Sequence, residues 1–202
     1  MRTLAESRHL ASLTHLDVSS NNLRDRGVNA IAESPNLRHL RVLELTGNGI
    51  GSPGLNALAE SANLDHLRSL GLAGNFIGSD SVRALAESEH LRSLTWLDLC
   101  DAFLEEDSAR ALASSTNLAR LRTLLLKKNL LGDGGAKALA RSPHLARLTT
   151  LDLNDNRIGK AGAEALAAAA WRRMRSLDLR GNVFTDTQEA LLRKRFGKVV
   201  QL

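Results

Sequence analysis

The sequence holds no tyrosine, one cysteine, three prolines and only six aromatic residues among 202. Each scarcity excludes something. With Cys100 alone no internal disulfide can form, so the chain does not require an oxidising compartment. With aromatics at 3%, a core cannot rest on large rings and must be assembled from many small, similar contacts. No apolar run approaches the roughly 20 residues of a membrane-spanning helix. The N-terminal stretch MRTLAESRHLASLTHL is amphipathic and charged, without the apolar centre of a signal peptide. Long runs of one charge sign are also missing: acids and bases alternate along the chain, although the formal charge is +5. Alternation reads as a solvated surface, so neither nucleic acid nor a membrane is an expected partner. The expectation is a cytoplasmic chain whose length suits one domain with a sizeable core.

Leucine is abundant, and it is regularly spaced. Leu13, Leu40, Leu67, Leu94, Leu121 and Leu148 stand 27 residues apart; Met174 follows after 26, with one residue missing near Trp171. Three residues into each unit comes another leucine, from Leu16 and Leu43 to Leu177, and five residues in an apolar residue, from Val18 to Leu179. The eighth following residue is Asn21, Asn48, Asn75, Ala102, Asn129, Asn156 and Asn182 in turn, and the tenth is apolar, from Leu23 to Phe184. The units cover 13–39, 40–66, 67–93, 94–120, 121–147 and 148–173, with the end of a partial unit at 1–12 and a last unit plus cap at 174–202.

The local chemistry of one unit is consistent. The L-x-L segment alternates with period two, as a short strand with one buried face does. The second half, as in GVNAIAES or GAKALARS, has helical spacing. Asp25, Ser52, Ser79, Asp133 and Asp186 share one phase and are predicted helix N-caps. Pro53 suits a first helical turn, while Pro35 and Pro143 fall where helices should stop. Small residues at one helical phase (Ala32, Ala59, Ala86, Ala113, Ala140, Ala167) would let the helices approach the strand layer. One unit cannot bury its leucine face alone, but stacked units can.

The frame L-x-x-L-x-L-x-x-N-x-L resembles the leucine-rich repeat across essentially the whole chain. The 27-residue unit is similar to the ribonuclease-inhibitor-like class of that family, here as a bacterial-type fragment. The resemblance implies an α/β solenoid, a horseshoe with parallel strands on the concave face and helices on the convex face. It implies an asparagine ladder from unit to unit, and non-catalytic protein–protein interaction on the concave face. Leu4, Ala5, Ser7 and Leu10 match the tail of a unit whose strand would lie before residue 1, so a monomer or a piece of a larger multidomain chain is expected. At the other end, TDTQEALLRKRFGKVVQL reads as a basic helix and a β-prone tail that cap the stack.

Catalytic constellations do not emerge. The six histidines fall in three phases without companions at metal-ligand spacing. GNGIGSPG and GDGG are turn glycines with no following Gly-Lys-Ser/Thr. Cys100 has no histidine at its phase nearby. No enzyme and no cofactor are expected.

The remaining candidate is the inner surface. The column four residues after each opening leucine is mostly acidic: Asp17, Glu44, Gly71, Asp98, Leu125, Asp152, Asp178. It serves either solubility or a basic partner. The fourth unit reads LDLCDAFLEED and replaces the ladder asparagine by Ala102. Around it the phases gather Phe76, Trp96, Asp98, Cys100, Asp101, Phe103, Leu125, Lys127, Lys128 and Leu130, an apolar group with a charged rim that is the predicted partner-binding surface. The competing reading is drift, with Phe103 folded inward to fill the space that Asn left. Two other roles stand beside protein binding: a structural spacer or targeting arm of a larger chain, and activation of a small GTPase through Arg157 or Asn22 on the turn edge.

Overall fold

The computed structural model describes residues 2–202. Among them, eight short strands form one parallel sheet in chain order: β1 His15–Asp17, β2 Val42–Glu44, β3 Ser69–Gly71, β4 Trp96–Asp98, β5 Thr123–Leu125, β6 Thr150–Asp152, β7 Ser176–Asp178 and β8 Val200–Gln201. Residues 27 apart pair directly (His15 with Val42, Val42 with Ser69), and the short sixth unit is absorbed by pairing Thr150 with Ser176. Helices alternate with the strands: α1 Arg2–Ala5, α2 Arg24–Ala32, α3 Ser52–Glu60, α4 Gly78–Glu87, α5 Glu106–Ser114, α6 Gly132–Arg141, α7 Lys160–Ala167 and α8 Asp186–Phe196.

Each of β1 to β7 buries its central leucine and turns its flanking residues to the other face, where Gly71 alone is buried. Leu43, Leu70, Leu97, Leu124, Leu151 and Leu177 are fully buried between the sheet and the helices. The predicted alanine column lies in the helix–sheet contact from Ala32 to Ala140, with Ala167 half buried. Helices need about 10 Å of width and strands about 4.8 Å, so stacking the units bends the sheet, with strands inside and helices outside.

The asparagine ladder forms from Asn48 onward, except at Ala102, while the Asn21 amide donates only to Val18 and Ser19 of its own unit. Asn75 Oδ1 accepts from the Asn48 and Ile50 N–H groups, both at 3.0 Å, while its Nδ2 donates to the carbonyls of Leu45 and Leu72. Asn48, Asn129 and Asn182 repeat this pattern of joining two units. Ala102 offers no acceptor to the N–H groups of Asn75 and Ile77, the two that an asparagine there would receive.

Sequence reasoning did not find a second ladder. The hydroxyls of Ser34, Ser61, Ser88, Ser115 and Ser142 each donate to a helix-end carbonyl 29 residues earlier: Ala5, Ala32, Ala59, Ala86 and Ala113. The next position of the serine series holds Ala169, which has no hydroxyl to give; its own carbonyl receives the Arg195 guanidinium.

The predicted N-caps are corrected. The helices start at or before those residues: α2 is preceded by Leu23, α3 by Gly51, α4 by Ile77, α6 by Leu131 and α8 by Thr185. The conserved phase instead serves the neighbouring unit. Asp25 Oδ1 accepts from the N–H groups of Gly51 and Gly54, the N-cap and third residue of α3. Asp133 does the same for Gly159 and Gly162 of α7. Where this phase holds Lys160, the next helix caps itself through Thr185 and Gln188.

The expected closing helix and β-prone tail are found as α8 and β8. Leu192, Phe196 and Val200 close over the core, and β8 pairs Leu177 with Val200. Trp171, at the shortened junction, is 4% exposed and fills the core there.

Candidate functional site

The outward residues of β3, β4 and β5, and the turns that follow them, carry the residues singled out by sequence. Trp96, Asp98 and Leu125 project from strands and are half buried; Cys100 and Lys127 open the turns and are also half buried. Asp101, Phe103, Lys128, Leu130 and Phe76 are exposed. Register sets Asp98 between Gly71 and Leu125, and Trp96 between Ser69 and Thr123.

The fold divides this set in two. Phe76 and Phe103 stack on the turn edge, with ring centroids 5.8 Å apart and planes 27° from parallel. They are 66% and 59% exposed, among the largest apolar exposures of the described residues, with Leu130 of the next unit at 41%. Trp96 stands at the opposite end of β4, about 15 Å along the strand from the Asp101 turn. It therefore belongs to the concave floor and not to the aromatic stack. Phe103 does not fold inward into the Asn slot; Ala102 remains fully buried there while the phenyl ring faces out.

The turns share a left-handed backbone, here carried by bulky residues. The seventh position of every unit is left-handed, and Asp101 and Lys128 take it without glycine, at φ 51° and 55°. Phe103 is left-handed as well, at φ 58°, where the equivalent positions of the first, second and sixth units hold Asn22, Gly49 and Arg157, the last at φ 56°. A bulky side chain in that region costs about 1–2 kcal/mol. Units three and five release the strain by placing the left-handed residue at Gly78 and Gly132. Phe76 and Leu130 then extend, and their N–H groups donate to the carbonyls of Ile50 and Leu104.

The acidic column has a local use. Asp17, Asp98, Asp152 and Asp178 each accept a hydrogen bond from the N–H two residues on, closing the strand-to-turn corner. Glu44, one carbon longer, lies over Gly71 of the next strand, which has no Cβ to obstruct it. Burial raises the Glu44 carboxyl above the usual glutamate range, helped by Asp17 and Asp98. Burial likewise raises Asp152. Asp178 is also desolvated, but the hydrogen bonds and charge of Arg180 outweigh that and hold it low. The Cys100 thiol is pushed far up by burial and by Asp98, which keeps it protonated and unreactive.

Arg157 and Asn22 are exposed on the turn edge in the sixth and first units, near opposite ends of the sheet. The Asn22 amide oxygen accepts from the Arg24 guanidinium.

Comparison with known proteins agrees with this architecture. The leucine-rich repeat family model matches residues 9–32, 36–59 and 144–167. No curated protein matches the chain. Among solved structures, the crystal structure of an internalin (inlF) from Listeria monocytogenes is similar over the whole of this chain, with 21% identity and a TM-score of 0.64. The chain spans 50% of that structure's length. The chain carries leucine-rich repeats and folds as an open solenoid of parallel strands and helices.

Proposed function

We propose that the chain is a non-catalytic protein-binding module of the ribonuclease-inhibitor-like kind, the class favoured by its 27-residue unit and by a full α-helix in each complete unit. The partner docks on the concave strands and turn edge of units three to five. It presents apolar side chains to the Phe76–Phe103 stack and Leu130, and basic groups to Asp98, Asp101 and the acidic column. The stacked, solvent-facing pair of phenylalanines is the observation that carries this reading. Aromatic anchors of this kind dominate protein interfaces, and a folded chain does not ordinarily leave two of them in water.

Affinity capture from extracts of the source cells tests the proposal. The unmodified chain and a convex-face control, Lys137→Ser, should retain the same protein, and Phe76→Ala/Phe103→Ala should lose it. Equal retention by all three would remove the aromatic edge as the docking surface.

A further inference from the structure

Charges that alternate along the sequence are sorted by the fold. The segments that run from each helix end into the next strand (residues 7–15, 34–42, 61–69, 88–96, 115–123, 142–150 and 169–176) line one edge of the solenoid, opposite the aromatic turns. Those segments hold eleven arginines, no lysine, all six histidines and only two acids, Asp65 and Glu89. All eleven arginines are exposed. Among the described residues only Arg92 of the eleven is ion-paired, to Glu89; Asp65 is engaged by His90. The formal charge of this edge is therefore about +9 and that of the remaining chain about −4. Within the edge a furrow of about 420 Å³ opens across the first three units, lined by His39, Arg41, His66 and Arg68 with the Thr14 and Ser93 hydroxyls.

We infer that this arginine edge is a second binding surface, separate from the aromatic one, and that its ligand is an extended acidic segment of a protein. Arginine forks pair with carboxylates in two parallel hydrogen bonds, so an all-arginine edge reads anionic groups more specifically than lysines would. The shape of the strip selects among polyanions. Three strand residues, about 10 Å, separate the Arg41–Arg68–Arg122 column from the acidic Glu44–Asp98–Asp152 column. A duplex, with grooves of about 12 and 6 Å side by side, is wider than that and would overlap the acids. Single-stranded nucleic acid stacks on successive aromatic platforms, and the only exposed tryptophan surface of the edge is that of the half-buried Trp96. A membrane is flat, whereas Arg41 and Arg68 line a furrow, and the edge exposes no large apolar anchor. A slender acidic chain fits both the width and the furrow.

Fluorescence anisotropy with a labelled 20-residue polyglutamate peptide at low salt tests this on the whole chain. Binding is expected, weakening steeply with salt, and Arg41→Ser/Arg68→Ser should weaken it at least tenfold while circular dichroism stays unchanged. Lys137→Ser/Arg141→Ser on the convex helix removes the same charge and should change affinity less than twofold. Absence of peptide binding, equal loss in both double variants, or tighter binding to a 20-nucleotide single strand, a duplex of that length or phosphatidylserine vesicles would overturn the assignment.

Discussion

Asp25 caps a helix to which it does not belong. Its Oδ1 accepts from the Gly54 N–H at 3.1 Å and from the Gly51 N–H at 2.8 Å, so one carboxylate meets two of the unpaired donors at the start of α3. A Cβ on Gly54 would come within 2.7 Å of that oxygen and 2.8 Å of Ile50 Cγ2. Donor and acceptor therefore constrain each other across the unit boundary.

Removing this cap weakens the stack. Asp25→Ala is expected to cost about 1–2 kcal/mol in urea unfolding, as loss of a helix N-cap does. Asp133→Ala should cost the same at α7. Lys160→Ala should cost nearly nothing, because α8 caps itself through Thr185 and Gln188. Equal effects at all three positions would show that the phase matters for some other reason.

The break in the asparagine ladder makes a prediction of opposite sign. Ala102→Asn supplies an acceptor to the Asn75 and Ile77 N–H groups and is expected to stabilise the protein by about 1 kcal/mol. Asn75→Ala leaves the buried N–H groups of Asn48 and Ile50 without their acceptor and should cost about 2–3 kcal/mol. Urea midpoints of the two variants check this; a destabilised Ala102→Asn would mean that the slot has closed around alanine.

Glu44 predicts a pH dependence. Its carboxyl is raised in the folded state, so the folded chain holds that proton more tightly than the unfolded one. The resulting stabilisation is fully present below the ordinary value of 4.5 and is lost as pH rises through the higher folded value. Glu44→Gln is therefore expected to raise the urea midpoint at pH 7 and to make little difference at pH 4. A lower midpoint at pH 7 would reveal a favourable partner for the charged carboxylate.

Strain at Phe103 can be read separately from binding. Phe103→Gly removes the steric cost of the left-handed turn but also the stack on Phe76. Phe76→Ala removes the stack alone. The difference in unfolding free energy between Phe103→Gly and Phe76→Ala should favour Phe103→Gly by about 1 kcal/mol. No difference would mean that the turn holds phenylalanine without strain.

The sequence made the fold legible because one physical demand repeats. Leucines that must face one core recur at a fixed interval, and strand register follows, down to the pairing of Thr150 with Ser176 across the shortened unit. Interactions that join one unit to the next were harder to read. Asp25 looked like a cap for its own helix because local spacing cannot show that a carboxylate reaches 29 residues ahead. The serine ladder was hidden for the same reason, although its signal, serine recurring from Ser34 to Ser142, lay in plain view. At the candidate site, phase placed Phe76 beside Phe103 correctly. Trp96 stands seven positions earlier in its unit than Phe103, and the extended chain turns that difference into distance. The basic edge is not legible along the chain, where charges alternate, because the solenoid collects them across it.

The central claim is that a partner protein covers the aromatic turn edge of units three to five. Hydrogen–deuterium exchange of the captured complex tests it most directly. The account predicts added protection in residues 73–77 and 100–105, with α3 to α6 unchanged. Protection confined to those convex helices, with both turns exchanging as in the free chain, would contradict it.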